Sequence, residues 1–379
     1  IDSIANYAIS KKMTPGLQVV VARKGKVIYQ KSFGNHTYES TQKVNNTDVY
    51  DIASITKIAA STVGLMYLQS KDQFSLNAQL KEYIDVSDSR YAAIRLRDMM
   101  AHQAGLTAWI PFYKRTLEGG KPASSYYSAV QTDDFSIQVA HDLWIRKDYS
   151  DSMYQQIMRT PLSAKTYVYS DLGYYFVKKI IEKQSGKGLD KFLHDELYGP
   201  MGLRSLRYNP LDFMNQQRIV PTENDQAFRK QLIHGYVHDP GAAMLGGVGG
   251  HAGLFANATD LASLMQLLMN KGMYGAKNYL KEQVVEEYTK AQFPGNRRGA
   301  GFDRPTASGG GTCHSSASQK SYGHSGFTGT LAWVDPEHAI NYVFLSNRVC
   351  PDQENWKLRD MHIRTEIQRV IYEILVKAK

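Results

Sequence analysis

In the run "DIASITKIAAS" (51–61), Ser54 and Lys57 stand three places apart in otherwise apolar sequence. If the run is helical, that spacing puts both side chains on one face, with the hydroxyl near the positive helix start and the amine one turn further in. A lysine on a buried face is costly unless it is paired or neutralised. Desolvation lowers its pKa and makes it a base for the serine, an effect that an adjacent carboxylate would oppose. The spacing alone identifies nothing, because Ser40 and Lys43 repeat it in a polar loop. A first-turn serine beside a snorkelling lysine would also satisfy it.

Two further triplets carry chemistry. Tyr169-Ser170-Asp171 precedes the helical run "SDLGYYFVKKIIEKQSG". A phenol moves protons only where nearby cations depress its pKa, which Lys57 could do, while Ser170 and Asp171 also suit helix capping. His324-Ser325-Gly326 opens a late strand. Glycine there lets a substrate lie against the strand edge, whose N–H groups can hold a developing oxyanion; as an isolated triplet it also reads as a turn.

The order Ser-x-x-Lys, Tyr-x-Asp, His-x-Gly resembles the serine β-lactamase and penicillin-binding-protein superfamily, including class C β-lactamases, DD-peptidases and esterases. The segments "MMAHQAGL", "GGHAGLFANATDLASLMQLL" and "FTGTLAWVDP" are similar to it as well, so the resemblance covers nearly the whole chain. It implies a serine hydrolase that works through an acyl-enzyme on an ester, a D-amino-acid peptide or a cell-wall-derived amide. Ser54 would be the nucleophile, Lys57 its base and Tyr169 the proton relay. Asp171, His324, Ser325, Gly326 and Phe327 would bind substrate, with the N–H groups of Ser54 and Phe327 as the oxyanion hole.

Two positions depart from the family pattern. Asp171 replaces the usual asparagine, so a carboxylate would hold Lys57 charged. His324 replaces the usual lysine and is expected to titrate near neutrality, so a substrate carboxylate would bind there more weakly as pH rises. Both argue against an efficient β-lactamase, and Asp171 motivates an alternative: a catalytically weak penicillin-binding or peptidoglycan-sensing domain.

The elements that must position these residues show as periodicities. "IDSIANYAISKKM" has helical spacing at Ile4, Tyr7 and Ala8 and stops at Pro15-Gly16. "GLQVVVARKGKVIYQKSFG" reads as a β-hairpin turning at Lys24-Gly25-Lys26. Residues 75–290 are mostly helical, with turns at Gly105, Gly119-Gly120 and Gly186. The tail "GHSGFTGTLAWVDPEHAINYVFLSNR" returns to strand period, turns at Asp335-Pro336, and leads into the amphipathic "LRDMHIRTEIQRVIYEIL". The predicted fold is α/β: an antiparallel β-sheet flanked by N- and C-terminal helices, with an inserted mostly helical domain. The sheet domain takes 1–74 and 291–379 and the insertion 75–290.

Composition narrows the partners. A chain of 379 residues with net charge +9 scatters its lysines and arginines, in pairs such as Arg297-Arg298, without a basic block or nucleic-acid motif. No apolar stretch of about 18 residues suggests a membrane span. The chain starts at Ile1 with no leader, as a mature or excised segment would, and "LGGVGGHAGLFANATDLA" and "VFLSNRVCP" resemble hydrolase domains fused to family 3 β-N-acetylglucosaminidases. That resemblance implies bacterial cell-wall work in the periplasm or as a secreted protein.

Cys313 and Cys350 are too few for a disulfide scaffold or zinc site and are read as one bridge or two free thiols. "GGVGGHA" (246–252) fits a relaxed dinucleotide fingerprint without the required strand, and His102, His251 and His314 lack metal-ligand spacing. No cofactor or metal is expected. Trp109, Phe112 and Tyr113 line a cleft or pack a loop.

Overall fold

In a computed structural model, which describes residues 1–377, the two ends of the chain meet in one sheet. The elements that build it are α1 (Asp2–Ser10), β1 (Gly16–Arg23), β2 (Lys26–Gly34), α2 (Val63–Ser70), α3 (Leu172–Ser185), α4 (Ala258–Met269), β3 (Tyr322–Ser325), β4 (Leu331–Asp335), β5 (Ile340–Ser346) and α5 (Ile363–Tyr372). Strand order is β3-β4-β5-β1-β2, antiparallel throughout, with Leu17 opposite Ser346 and Arg23 opposite Ile340 at the seam between the two ends.

The side-chain period of two explains why β1 reads as a continuous apolar run. Leu17, Val19 and Val21 face a core shared with Ala5, Ala8, Ile363 and Ile367 of the terminal helices. Val20 faces the opposite core, with Val343, Leu345 and Leu264. Both faces are therefore covered, each fully buried Val or Leu contributing about 1.5–3 kcal/mol. The hairpin turns at Lys24 (φ 51°) and Gly25 (φ 75°), two left-handed residues as a tight turn between twisted strands requires. β2 is the exposed edge, carrying Lys26 and Lys31 toward solvent.

Between 75 and 290 the chain forms helices and several short strands. Helix α4, from within that stretch, packs across β1, β4 and β5. The division into 1–74 with 291–379 and 75–290 is a proposal about organisation, and α4 lies across it. A three-stranded patch of Tyr50–Asp51, Leu254–Ala256 and Arg207–Tyr208 sets the chain just ahead of Ser54. Cys313 and Cys350 are both free and buried, which excludes the bridge, and burial pushes each thiol up to about 12.

Candidate active site

The segment before the serine is tied down through one carboxylate. Asp51 Oδ1 accepts the Ala53 N–H at 2.8 Å and Oδ2 accepts the His238 N–H at 2.6 Å. Ala53 is held at φ 47°, a left-handed conformation that costs a non-glycine residue about 1–2 kcal/mol. Ser54 consequently sits in a single 3₁₀ turn, Ala53–Ile55, instead of the regular helix that its spacing predicts. Lys57 opens a wider π-type segment, Lys57–Thr62, that runs into α2, an irregularity frequent at functional sites.

Lys57 is fully buried, with its amine among polar partners and over the rings of Tyr169 and Tyr174. Nζ donates to Ser54 Oγ at 3.0 Å and to the His251 carbonyl at 3.2 Å, and pairs with Asp171 Oδ1 at 2.7 Å. Burial alone would lower its pKa, as the sequence suggests. The charges of Asp171 and Tyr169 and their hydrogen bonds outweigh burial, so the ammonium is held above its ordinary value. Asp171 is free to do this because it does not cap α3. Ser170 Oγ takes the Leu172 N–H at 3.1 Å instead, and Gly186 (φ 68°) ends the helix as expected.

Tyr169 lies in a cage of rings and cations. The His102 ring centroid is 4.6 Å from its own, that of His324 5.9 Å, the Arg298 guanidinium 5.3 Å and Lys57 Nζ 5.1 Å. The expected depression of the phenol pKa does not result: burial raises it, and Lys57 only partly opposes. His102 is kept neutral by burial and by Arg298 and Lys57, and its Nδ1 accepts the Ser170 N–H at 3.1 Å.

His324 departs from its expected titration near neutrality. Burial, then the nearby Arg298 and Lys57 charges, push its pKa far down, so it remains a neutral imidazole that meets the Ser325 carbonyl through Nδ1 at 2.6 Å. The fixed positive charge beside the third motif comes from Arg298, which the sequence shows only as half of a dibasic pair.

β3 is pressed against the turn that carries Ser54. Gly326 donates to the Thr330 carbonyl at 2.9 Å, and a Cβ at position 326 would lie 2.2 Å from Thr330 Oγ1 and 2.5 Å from the Ile52 carbonyl. Thr328 Oγ1 donates to the Asp51 carbonyl at 2.8 Å, and Thr330 Oγ1 to that of Ile52 at 3.2 Å. Among the described residues, no acceptor takes the N–H of Ser54 or of Phe327. Phe327, 39% exposed, stacks on His238 at 5.0 Å.

Two cavities meet at Ser54. One, of about 380 Å³, is lined by Trp109, Tyr113, Phe228, Glu223, Asp171 and Asp239; the other, of about 370 Å³, by Tyr169, His324 and four arginines. Trp109 and Tyr113 thus face a cleft, while Phe112 is core. The glycine-rich run packs against the site: its Gly250 carbonyl accepts from Ser61 Oγ at 2.6 Å and its His251 carbonyl from Lys57. Among the described residues, no cluster of three His, Cys, Asp or Glu side chains could hold a metal ion.

A family model described as Beta-lactamase matches residues 5–361. The chain belongs to the Beta-lactamase family. Within this Beta-lactamase-family serine hydrolase, a curated N-acetylmuramyl-L-alanine amidase of Bacillus subtilis is 29% identical, covering 88% of this chain and 77% of that one. A putative D-alanyl-D-alanine carboxypeptidase of Escherichia coli is 28% identical over 88% of this chain and 78% of its own. The octameric penicillin-binding protein homologue from Pyrococcus abyssi has the same fold, with TM-score 0.71, 16% identity, and coverage of 98% of this chain and 76% of that chain.

Asp171→Asn tests the electrostatics of this Beta-lactamase-family site. Asp171 favours the charged amine, so removing its charge lowers the Lys57 pKa and makes the free base available at lower pH. The rising limb of kcat/KM against pH is expected to move toward acid by at least one unit. An unmoved limb would show that Lys57 does not set it.

Proposed function

We propose that the chain is an amidase acting on cell-wall fragments through an acyl-enzyme, cutting the amide between an N-acetylmuramyl acid and L-alanine. The observation that carries this reading is the contrast between the two cavities that meet at Ser54. Aromatic faces with carboxylates, as in Trp109, Tyr113, Glu223 and Asp239, suit a sugar-bearing acyl group, whose hydroxyls need acceptors. Arginines beside Tyr169 suit a leaving amino acid or peptide with its carboxylate. The name of the Bacillus subtilis relative fits both halves.

In this mechanism Ser54 Oγ attacks the carbonyl carbon and passes its proton to the neutral form of Lys57. The N–H groups of Ser54 and Phe327 hold the oxyanion, each such donor being worth about 3 kcal/mol. The proton returns through Tyr169 to the leaving nitrogen as the C–N bond breaks, and water then cleaves the ester on Ser54. Asp171, Ser325 and Gly326 shape the cleft, and neutral His324 offers a hydrogen bond without charge.

The test is mass spectrometry of N-acetylmuramyl-L-alanyl peptides after incubation: free peptide and N-acetylmuramic acid are expected with the wild type and neither with Ser54→Ala. Release of D-alanine alone, from peptides ending in D-Ala-D-Ala, would replace the amidase with a carboxypeptidase. The Lys57–Asp171 ion pair favours a second reading, the weak penicillin-binding sensor. A lasting labelled-penicillin adduct on Ser54 without turnover of any substrate would support it.

Among the described residues, no helix is long and apolar enough to cross a membrane. We propose work in the periplasm or outside the cell, beside a fused glycosidase that the full reading frame would reveal.

A further inference from the structure

Hydrolysis of an acyl-enzyme needs a base for the incoming water, and the groups packed around Lys57 and Tyr169 supply none. Lys57 is held as an ammonium by Asp171 at 2.7 Å, and burial keeps the Tyr169 phenol protonated. The Nδ1 lone pair of His102 is taken by the Ser170 N–H. Burial, with Arg298 and Lys57, pushes His324 down to about 3, too weak a base for water near neutral pH. His251 and Asp239 are engaged with each other at 2.7 Å.

His238 differs from all of these. It lines the cavity of about 380 Å³ together with Ser54 and Phe327, and it is oriented through every polar group but one. Its N–H donates to Asp51 Oδ2 at 2.6 Å, the carboxylate whose other oxygen holds the Ala53 N–H next to Ser54. Its carbonyl accepts from Arg229 Nη2 at 2.8 Å, and Arg229 is anchored in turn by Asp225 at 2.8 Å and Glu223 at 3.1 Å. The ring lies face to face with Phe327, centroids 5.0 Å apart and planes 14° apart, and Nδ1 meets Glu223 Oε1 at 2.7 Å. Because a carboxylate only accepts, the neutral ring carries its proton on Nδ1 and leaves the Nε2 lone pair free. Among the described residues no group bonds Nε2.

We propose that His238, oriented by Glu223, is the general base that activates water for hydrolysis of the acyl-enzyme on Ser54. The inference rests on the acyl-enzyme reading, whichever amide is cut. Nε2 takes one proton from water as the oxygen bonds to the ester carbon, and the N–H groups of Ser54 and Phe327 hold the oxyanion. The bond from that carbon to Ser54 Oγ then breaks, and Oγ takes its proton from the Lys57 ammonium 3.0 Å away. The imidazolium and the acid product release protons to solvent, and Lys57 is left neutral for the next attack. The charge that makes Lys57 a poor base therefore serves the second half of the cycle.

The acids facing His238 are Glu223, Asp51 and Asp239, and the cation is Arg229. Burial opposes charge on the ring, but Glu223 and then Asp51 favour it more strongly, so His238 titrates above the ordinary imidazole value of 6.5. Deacylation should rise with pH through that midpoint, as the neutral ring is the base.

The experiment follows p-nitrophenyl acetate by stopped flow, where the first release of nitrophenol reports acylation and steady turnover reports deacylation. His238→Gln should release one nitrophenol per enzyme at the wild-type rate, accumulate acetyl-Ser54 in mass spectra and turn over about 10²-fold more slowly. Its kcat and KM should fall together, with kcat/KM unchanged. Glu223→Gln keeps an acceptor for Nδ1 and removes the charge, so the midpoint of deacylation should move to lower pH. Unchanged turnover in His238→Gln, or kcat/KM falling in step with kcat because the ring only supports Phe327, would overturn the proposal. So would a wild-type deacylation rate that is flat from about pH 5 to 8, a measurement that needs no variant. Nitrophenol release by Ser54→Ala at the wild-type rate, with no acetyl adduct in wild type, would remove the acyl-enzyme reading itself and the role of His238 with it.

Discussion

Lys57→Met is expected to lower kcat/KM for an activated ester or amide by about 10³-fold, the scale of a lost general base. The amine is 3.0 Å from Ser54 Oγ. Methionine approximates the length of the lysine stem, so the fully buried site does not collapse into a cavity and the loss reports on the amine itself. Breaking the 2.7 Å pair also leaves Asp171 without its cation, though at 19% exposure water can reach it. The decrease in thermal stability should therefore be smaller than for a fully buried pair, about 3–5 kcal/mol in that limit. Steady-state kinetics at several pH values with a parallel melting curve decide the matter: a loss of less than tenfold would remove Lys57 as the proton acceptor.

Gly326→Ala should be nearly as damaging, through position instead of chemistry. The added methyl would meet Thr330 Oγ1 at 2.2 Å and the Ile52 carbonyl at 2.5 Å, and the second contact is backbone that cannot rotate away. Relief requires the end of β3 to back off from the turn that carries Ser54. Overpacking of this kind costs about 1–3 kcal/mol of stability. A shift of about 1 Å between Ser54 and the Phe327 N–H is expected to cost about 10²-fold in kcat. The readouts are the rate of acylation by a labelled penicillin and the melting temperature; unchanged values of both would show that the strand and turn are not rigidly coupled.

The sheet could be read ahead of the structure because its signals are local. The Val-rich run of β1, the Lys24-Gly25 turn and the Asp335-Pro336 turn each act over a few residues, and Gly186 ends α3 by a backbone preference of its own. The three motifs were legible through their order along the chain and the family resemblance that order carries, since the Ser-x-x-Lys spacing recurs at Ser40 and Lys43. The ionisation of the site was legible only in part. Desolvation is expected to weaken the Lys57 charge and Asp171 to oppose it, and the carboxylate, 114 positions along the chain, prevails; Lys57 is expected to depress Tyr169, and burial of the phenol reverses that outcome. His324 looked like a neutral-pH switch until Arg298, brought beside it by a loop with no periodic signal, joined burial in keeping it neutral.

From the sequence alone came Ser54, Lys57 and Tyr169 as candidates, through the order of their motifs and the resemblance it carries, and the strand that faces them, through its local period. Only the tertiary structure decided which charges they feel, which backbone N–H groups are left without acceptors, and that the cleft divides into an acidic aromatic half and an arginine half. Electrostatic energies depend on distance and burial, and neither is encoded in spacing along the chain.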